Sequence, residues 1–380
     1  MLNKRLSTRA MDHFDWALFL AACSLGVIGV VNLYSATSVA RAGLTEMHLQ
    51  QIYWFVTGGL LATVVAAIDY RHYERLGYVL YGVGIVLLVL VFILGRDVRG
   101  SSRWIYIGAF SLQPSEFTKI FMVIALAKYL HDDPPDTLGR TLKDFAIPAG
   151  IALVPMFLIL RQPDLGTALI HGLIFVSVCL MTRIRWKSLA TLTITSAVAL
   201  PLIWAYGLRD YQRNRITSFL NPEADVKRTG WHAHHARIAI GNGGFTGQGF
   251  MKGTQNQYLF LPDQHSDFPF AVFAEDWGFL GCLLLVLLYG FLVIWAIRIA
   301  STAKDRFGAV IAIGVGALIF WHALFNLGMV TGLLPVVGVT LPLFSAGGSS
   351  VITIMVGIGL LMNVSMRRYH VPSVRPTLAD

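Results

Sequence analysis

The chain has 380 residues, 55% of them apolar and only 13% charged, with a formal charge of +9 and a mean hydropathy of +0.62. That composition excludes a soluble domain, and apolar blocks of about 20 residues suit helices crossing a hydrocarbon core about 30 Å thick. Cys23, Cys179 and Cys282 lie inside such blocks without metal-ligand spacing and read as small core residues.

In chain order, Lys4, Arg5 and Arg9 lead through Asp12 and Asp15 into a full-length span rather than a cleavable signal. Apolar blocks between charged breaks predict ten spans, near 16–36, 49–68, 77–95, 113–130, 146–160, 167–182, 189–206, 269–297, 307–333 and 345–366. Backbone groups in lipid must be satisfied within the segment, so the spans are helices. The expected fold is all-α: a single transmembrane domain over 1–380 with one long loop at about 207–268.

Sixteen Lys and Arg residues fall in one set of connections, among them Arg71, Arg140, Lys143, Arg183, Lys187, Lys304 and Arg367. The positive-inside rule makes that set, and both termini, cytoplasmic. Two outer segments are also basic: 96–112 with Arg96, Arg99 and Arg103, and the long 207–268 loop with seven Lys and Arg. Long loops translocate largely regardless of charge. The alternative is an outer site for an anion, since arginine forks well onto phosphate.

Ionisable residues inside spans are the strongest functional pointers in a membrane protein. In the fourth span Pro114 fits a first turn, which sets Glu116 and Lys119 one turn apart near the outer end. Such a pair either fixes helix packing or serves a ligand. Lys128 snorkels to the cytoplasmic surface. In Arg161–Thr167 a short outer turn offers Asp164 as cap of the sixth helix. His171 and His322 read as hydrogen-bonded core histidines. In the long loop, 231–240 reads as an amphipathic helix lying on the bilayer surface, followed by glycine-rich turns from Gly241 to Gly253. His232 and His235 stand one turn apart without a third metal ligand. The loop closes with Asp263, His265, Ser266 and Asp267 where the chain re-enters the membrane. Partial desolvation beside Phe268 and Phe270 suits Asp267 to act as a base near neutrality, ahead of Asp263, Glu275 and Asp276. Asp267 also fits as N-cap of the eighth span.

These motifs resemble the SEDS family (shape, elongation, division and sporulation) over nearly the whole chain. The resemblance rests on Gly100–Trp104, Gln113–Lys119, Gln162–Thr167, Asp210–Arg215, Gly253–Gln257, His265–Phe268 and Gly328–Ser349. The Gly-Thr-Gln-Asn-Gln segment favours the elongation branch over the division branch. Pro269, Asp276-Trp277, Thr340 and Ala346 depart from the family pattern. The resemblance implies a peptidoglycan glycosyltransferase of the bacterial cytoplasmic membrane. Such a protein polymerises lipid II at the outer face, beside a class B penicillin-binding protein and possible further elongation-complex proteins, with no nucleic-acid partner. It places the catalytic carboxylate on Asp267. Substrate contacts are expected from Arg103, Trp104, Glu116, Lys119, Asp164, Arg213, Arg215, Gln255, His265 and Ser266. No cofactor is required, although a divalent cation such as Mg2+ or Mn2+ is compatible with the diphosphate. The alternative is a flippase for lipid-linked precursor, which needs cationic sites reachable from both faces.

Overall fold

The computed structural model describes residues 13–38, 46–98, 101–107, 110–134, 139–202, 205, 213, 217, 219, 229–258, 260 and 264–368. The membrane-spanning elements are α1 (Trp16–Thr37), α2 (Met47–Ala67), α3 (Tyr70–Leu94), α4 (Pro114–Asp132), α5 (Ala146–Arg161), α6 (Leu165–Leu180) and α7 (Trp186–Leu202). Two short outer helices follow, α8 (Thr229–Gly243) and α9 (Thr254–Gln257), and then α10 (Pro269–Ser301), α11 (Arg306–Thr331) and α12 (Gly348–Arg367). Each of the ten predicted spans thus meets one helix. Seven are long and apolar enough to cross a membrane by length and composition. The span of α5 reaches 19 residues with the 3-10 turn Lys143–Phe145 before it; of the other three, α6 and α7 have 16 and 17 residues, and α4 carries Glu116, Lys119 and Lys128.

Among those seven, α11 and α12 are the most deeply enclosed, and α4 is largely buried beside them. At the cytoplasmic end, Asp15 caps α1 by accepting from the Leu18 amide at 3.2 Å. Its other oxygen accepts from Trp295 Nε1 at 2.9 Å and Ser365 Oγ at 2.8 Å, joining α1 to α10 and α12. Lys128 pairs with Asp132 at 3.3 Å near the cytoplasmic end of α4.

Three features of the outer half depart from a plain bundle. First, the segment after α3 is a small antiparallel sheet of β1 (Arg96–Val98), β2 (Ser101–Ile107) and β3 (Phe110–Leu112), in the order β1-β2-β3. It pairs Arg96 with Trp104 and Tyr106 with Ser111.

Second, α8 does not spend its apolar side on lipid headgroups: Ala236 and Ala239 are buried, and the helix packs on α10 and α11. The glycine-rich turn that follows enters a break in α10. At Gly278 the backbone leaves the helix (φ 63°, ψ −161°). The Phe279 and Leu280 amides donate to the Gly244 and Phe245 carbonyls at 2.9 and 3.2 Å. The Glu275 and Asp276 carbonyls accept from Gln248 and Gly249 at 2.9 and 3.1 Å. Interrupted helix at membrane depth is tolerated only where protein satisfies the freed groups, and here the turn does so. Gly278→Ala should cost about 1–3 kcal/mol, because that backbone region is almost closed to other residues and a Cβ would collide with the Gly247 nitrogen. Gly290→Ala, where a Cβ meets nothing within 4 Å, is the control. Melting temperatures in detergent check this: a fall for the first variant and none for the second.

Third, the connection from α11 to α12 does not stay outside. Leu341, Leu343 and Phe344 are buried, and an added Cβ at Gly29, in the middle of α1, would stand 2.6 Å from the Leu343 carbonyl oxygen. Side chains of three spans satisfy the dipping backbone. Gln51 Nε2 donates to the Ser345 carbonyl at 3.0 Å, Tyr289 Oη to that of Pro342 at 2.6 Å, and Asn326 Nδ2 to that of Val339 at 2.7 Å.

Candidate active site

The polar residues of the outer half converge on this re-entrant segment, and Val337–Thr340 is where they meet. On one side lies the turn before α10. The Ala346 amide donates to the His265 carbonyl at 2.9 Å. Asn326 Nδ2, besides holding Val339, donates to the main-chain carbonyl of Asp267 at 3.1 Å. The Asp267 carboxylate faces Gly338, where an added Cβ would stand 3.6 Å from Oδ2. Asp267 is half-exposed. The N-cap of α10 is Phe268, without a side-chain capping bond. The capping role open to Asp267 in the sequence is therefore not the one it fills.

The neighbouring carboxylates are committed elsewhere. Glu275 accepts from Thr254 Oγ1 and the Gln255 amide, both at 3.1 Å. Asp276 accepts from Ser35 Oγ at 2.5 Å and the Met251 amide at 3.4 Å. Both fasten the 251–255 segment to α10. Asp263 lies outside the described residues.

Across the re-entrant segment stands a buried polar chain. Lys119 is fully enclosed, and Glu116 and His322 are nearly so. Lys119 Nζ lies 2.8 Å from Glu116 Oε1 and 2.8 Å from His322 Nε2. His322 Nδ1 lies 3.0 Å from the Thr340 carbonyl. An ammonium donates and a carbonyl accepts, which assigns the histidine proton to Nδ1 and leaves Nε2 as acceptor. Glu116 and Lys119 thus form the one-turn pair that their spacing predicts, and their line of bonds ends on the backbone that faces Asp267.

A third group comes from the start of α6. Asp164 caps that helix, accepting from the Thr167 amide at 3.1 Å and Thr167 Oγ1 at 2.9 Å. Arg103 of β2 lies 3.6 Å from the same carboxylate and donates to the Pro163 carbonyl at 2.7 Å. Gly166 lies so close to the Val337 carbonyl that an added Cβ would stand 2.5 Å from its oxygen.

The other site residues lie apart or farther out. Trp104 is half-buried in β2, and Ser266 is half-exposed beside Asp267. Gln255 accepts through Oε1 from His235 Nδ1 at 2.9 Å and so belongs to the α8–α9–α10 layer. Arg213 donates to the Ala205 carbonyl at 2.7 Å, within its own segment. Arg215 lies outside the described residues. His322 is the hydrogen-bonded core histidine that the sequence suggests, but its place in the site, and Asn326 altogether, escaped sequence reasoning. An intramembrane histidine and asparagine on one helix face are the signal, but their partners are remote in the chain.

The architecture defines a class: a multi-pass membrane protein with a re-entrant outer segment, a half-exposed carboxylate before a broken helix, and a buried lysine–glutamate pair behind that segment. The sequence pattern of the FtsW/RodA/SpoVE family, described as cell cycle protein, matches residues 15–370, and the chain belongs to that family. The peptidoglycan glycosyltransferase MrdB of Escherichia coli K12 is 37% identical over 358 residues, covering 94% of both chains. The rod shape determining protein RodA of Thermus thermophilus superposes with a TM-score of 0.70 at 30% identity, covering 94% of this chain and 98% of that one. A chain of a peptidoglycan synthase complex that coordinates polymerization and crosslinking superposes with a TM-score of 0.79 at 31% identity, with the same coverage.

Proposed function

We infer that the chain is a peptidoglycan glycosyltransferase, and propose that it polymerises lipid II at the outer face of a bacterial cytoplasmic membrane, with Asp267 as general base. The observation that carries the assignment is the contrast among carboxylates. Glu275 and Asp276 are tied up by the loop they anchor, Asp164 is a helix cap paired with Arg103, and Asp267 is half-exposed at the outer boundary.

The chemistry needs one base. The 4-hydroxyl of the acceptor GlcNAc attacks the anomeric carbon of the donor MurNAc and passes its proton to Asp267. The bond from that carbon to the diphosphate oxygen breaks, and the electron pair leaves with undecaprenyl diphosphate. A diphosphate leaves without the proton that a glycosidase's acid supplies to its leaving group. Arg103 is the cation proposed to face that charge, while the enclosed Lys119, neutralised by Glu116, acts through His322 on the Thr340 backbone. His265 and Ser266 stand beside Asp267 in the chain, Trp104 lies apart in the β2 strand, and Gln255, Arg213 and Arg215 belong to the outer loop that would cover a bound lipid. Among the described residues no three His, Cys, Asp or Glu side chains are grouped to hold a metal ion. A divalent cation, where one takes part, would therefore be held mainly by the diphosphate, and no step here is assigned to it. A class B penicillin-binding protein is the proposed crosslinking partner, given the solved synthase complex that this chain resembles.

The test is incubation of purified protein with labelled lipid II, alone and with such a partner, followed by separation of products by length. Glycan polymer supports the assignment. Movement of lipid II across a vesicle membrane without polymer would favour the flippase.

A further inference from the structure

The cytoplasmic end holds a second, unrelated cavity of about 460 Å³, between the inner ends of α4 and α6 and the start of α11. Arg140, Arg183 and Arg306 line it together with an apolar wall that includes Leu130, Val178 and Ile313. The arginines are brought together by backbone. The Arg140 amide donates to the Arg183 carbonyl at 2.7 Å, and the Arg185 amide to the Arg140 carbonyl at 3.1 Å. These bonds lock residues 139–140 to the turn after α6 through an isolated bridge between Arg140 and Ile184. Gly139 (φ 89°) makes the approach possible, since a Cβ there would stand 2.8 Å from the Arg183 carbonyl oxygen.

The charges in this cavity are unequally matched. Arg140 is only 2% exposed. It donates from Nη1 to Asp133 Oδ2 at 2.8 Å and from Nη2 to the Asp133 carbonyl, but its buried Nε has no partner among the described residues. Arg183 and Arg306 form no ion pair with any described residue. The nearest acid along the chain to Arg306, Asp305, is occupied in capping α11 through the Gly308 amide at 2.9 Å and in accepting from Tyr70 Oη at 2.6 Å. Two exposed guanidinium groups with no ion pair among the described residues thus share one cavity with the buried Arg140 and an apolar wall. A soluble anion would satisfy the charges and leave the apolar wall wet. An amphiphile with a phosphate head satisfies both, and the cavity lies at the cytoplasmic ends of three helices. Basic pockets between helices on that side of a membrane recognise anionic lipid in this way. The volume suits one headgroup and the start of a chain, not a disaccharide-pentapeptide.

We propose that this cavity is a binding site for an anionic phospholipid of the cytoplasmic leaflet, with Arg183 and Arg306 engaging the phosphate and the Leu130–Val178–Ile313 wall covering the upper acyl chain. The site is separate from the outer-face chemistry and does not depend on it. The test uses the full chain in neutral detergent and reads the melting temperature with added dioleoylphosphatidylglycerol, dioleoylphosphatidylcholine or glycerol 3-phosphate. Phosphatidylglycerol should raise it by at least about 2 °C, with the other two well short of that. The R183Q/R306Q variant should melt like wild type in detergent alone and lose the response to phosphatidylglycerol. K187Q, which removes a nearby charge outside the cavity, should keep it. Equal stabilisation by phosphatidylcholine, an equal effect of glycerol 3-phosphate, or a full response in R183Q/R306Q would each overturn the proposal.

Discussion

Asp267→Asn is expected to abolish polymer formation, lowering turnover by at least about 10²-fold, while leaving the fold intact. Loss of a general base typically costs about 10²–10⁴ in rate. Asparagine has nearly the shape of aspartate but cannot take up the acceptor's proton. The Asp267 carbonyl bond with Asn326 and the His265 carbonyl bond with Ala346 use main-chain acceptors, so the variant keeps them. Its melting temperature and its binding to a transpeptidase should match wild type. Glu275→Gln is the informative contrast. It weakens the carboxylate that receives the Thr254 hydroxyl and the Gln255 amide, so its activity should fall with the fraction of folded protein. A D267N protein that makes polymer at near wild-type rate would remove Asp267 as the base and leave Asp263 as the next carboxylate to test.

Lys119→Met is expected to cause the largest loss of stability, about 3–5 kcal/mol, because it strands Glu116 as a buried, uncompensated charge. It also removes the donor to His322 Nε2. Replacing both members, as in E116Q/K119M, should recover most of the stability, since a buried pair often loses as much in desolvation as it gains in attraction. Activity separates the two roles. If the pair only packs α4, the stable double variant polymerises lipid II normally. If Lys119 holds His322, and His322 holds the Thr340 carbonyl, the double variant folds and still polymerises poorly. Glu116→Gln alone should be milder than Lys119→Met. We expect the second outcome, because the chain of bonds ends on the segment that faces Asp267. Lipid II turnover normalised to folded protein decides it, and a stable, fully active double variant would make the pair structural.

Local patterns in the sequence carried over well into the structure. Ten apolar blocks became ten helices because length and hydropathy alone determine a span. Glu116 and Lys119 met because three residues make one face of a helix, and Asp164 capped α6 because its partner amide is three residues away. Contacts between remote segments were not legible. Lys119 and His322 are 203 positions apart, and nothing in either span announces the other. The break at Gly278 follows Glu275 and Asp276 in an otherwise apolar span, and the cluster of glycines in the preceding loop was the hint of a close approach. The re-entrant segment looked like a plain connection because its residues are as apolar as the spans beside it. The small sheet was missed because β1 and β3 have three residues each, too few for an alternating pattern. Three of the family departures have local accounts: Pro269 takes the first turn of α10, Asp276 binds Ser35, and Thr340 Oγ1 lies 2.9 Å from Ser350 Oγ.

The broken helix bears on how the protein is made. The turn that completes α10 is encoded before it, so Gly244–Gly249 must cross the membrane ahead of the helix whose gap it fills. Until the two meet, four backbone groups around Gly278 have no partner in lipid, and the outer part of α10, which carries Glu275 and Asp276, has reason to remain near the surface. Membrane insertion and docking of the long loop are therefore one event for this helix. A chain with that loop shortened across 241–249 would be left with an unfinished span and exposed to quality-control proteolysis before any question of catalysis arose.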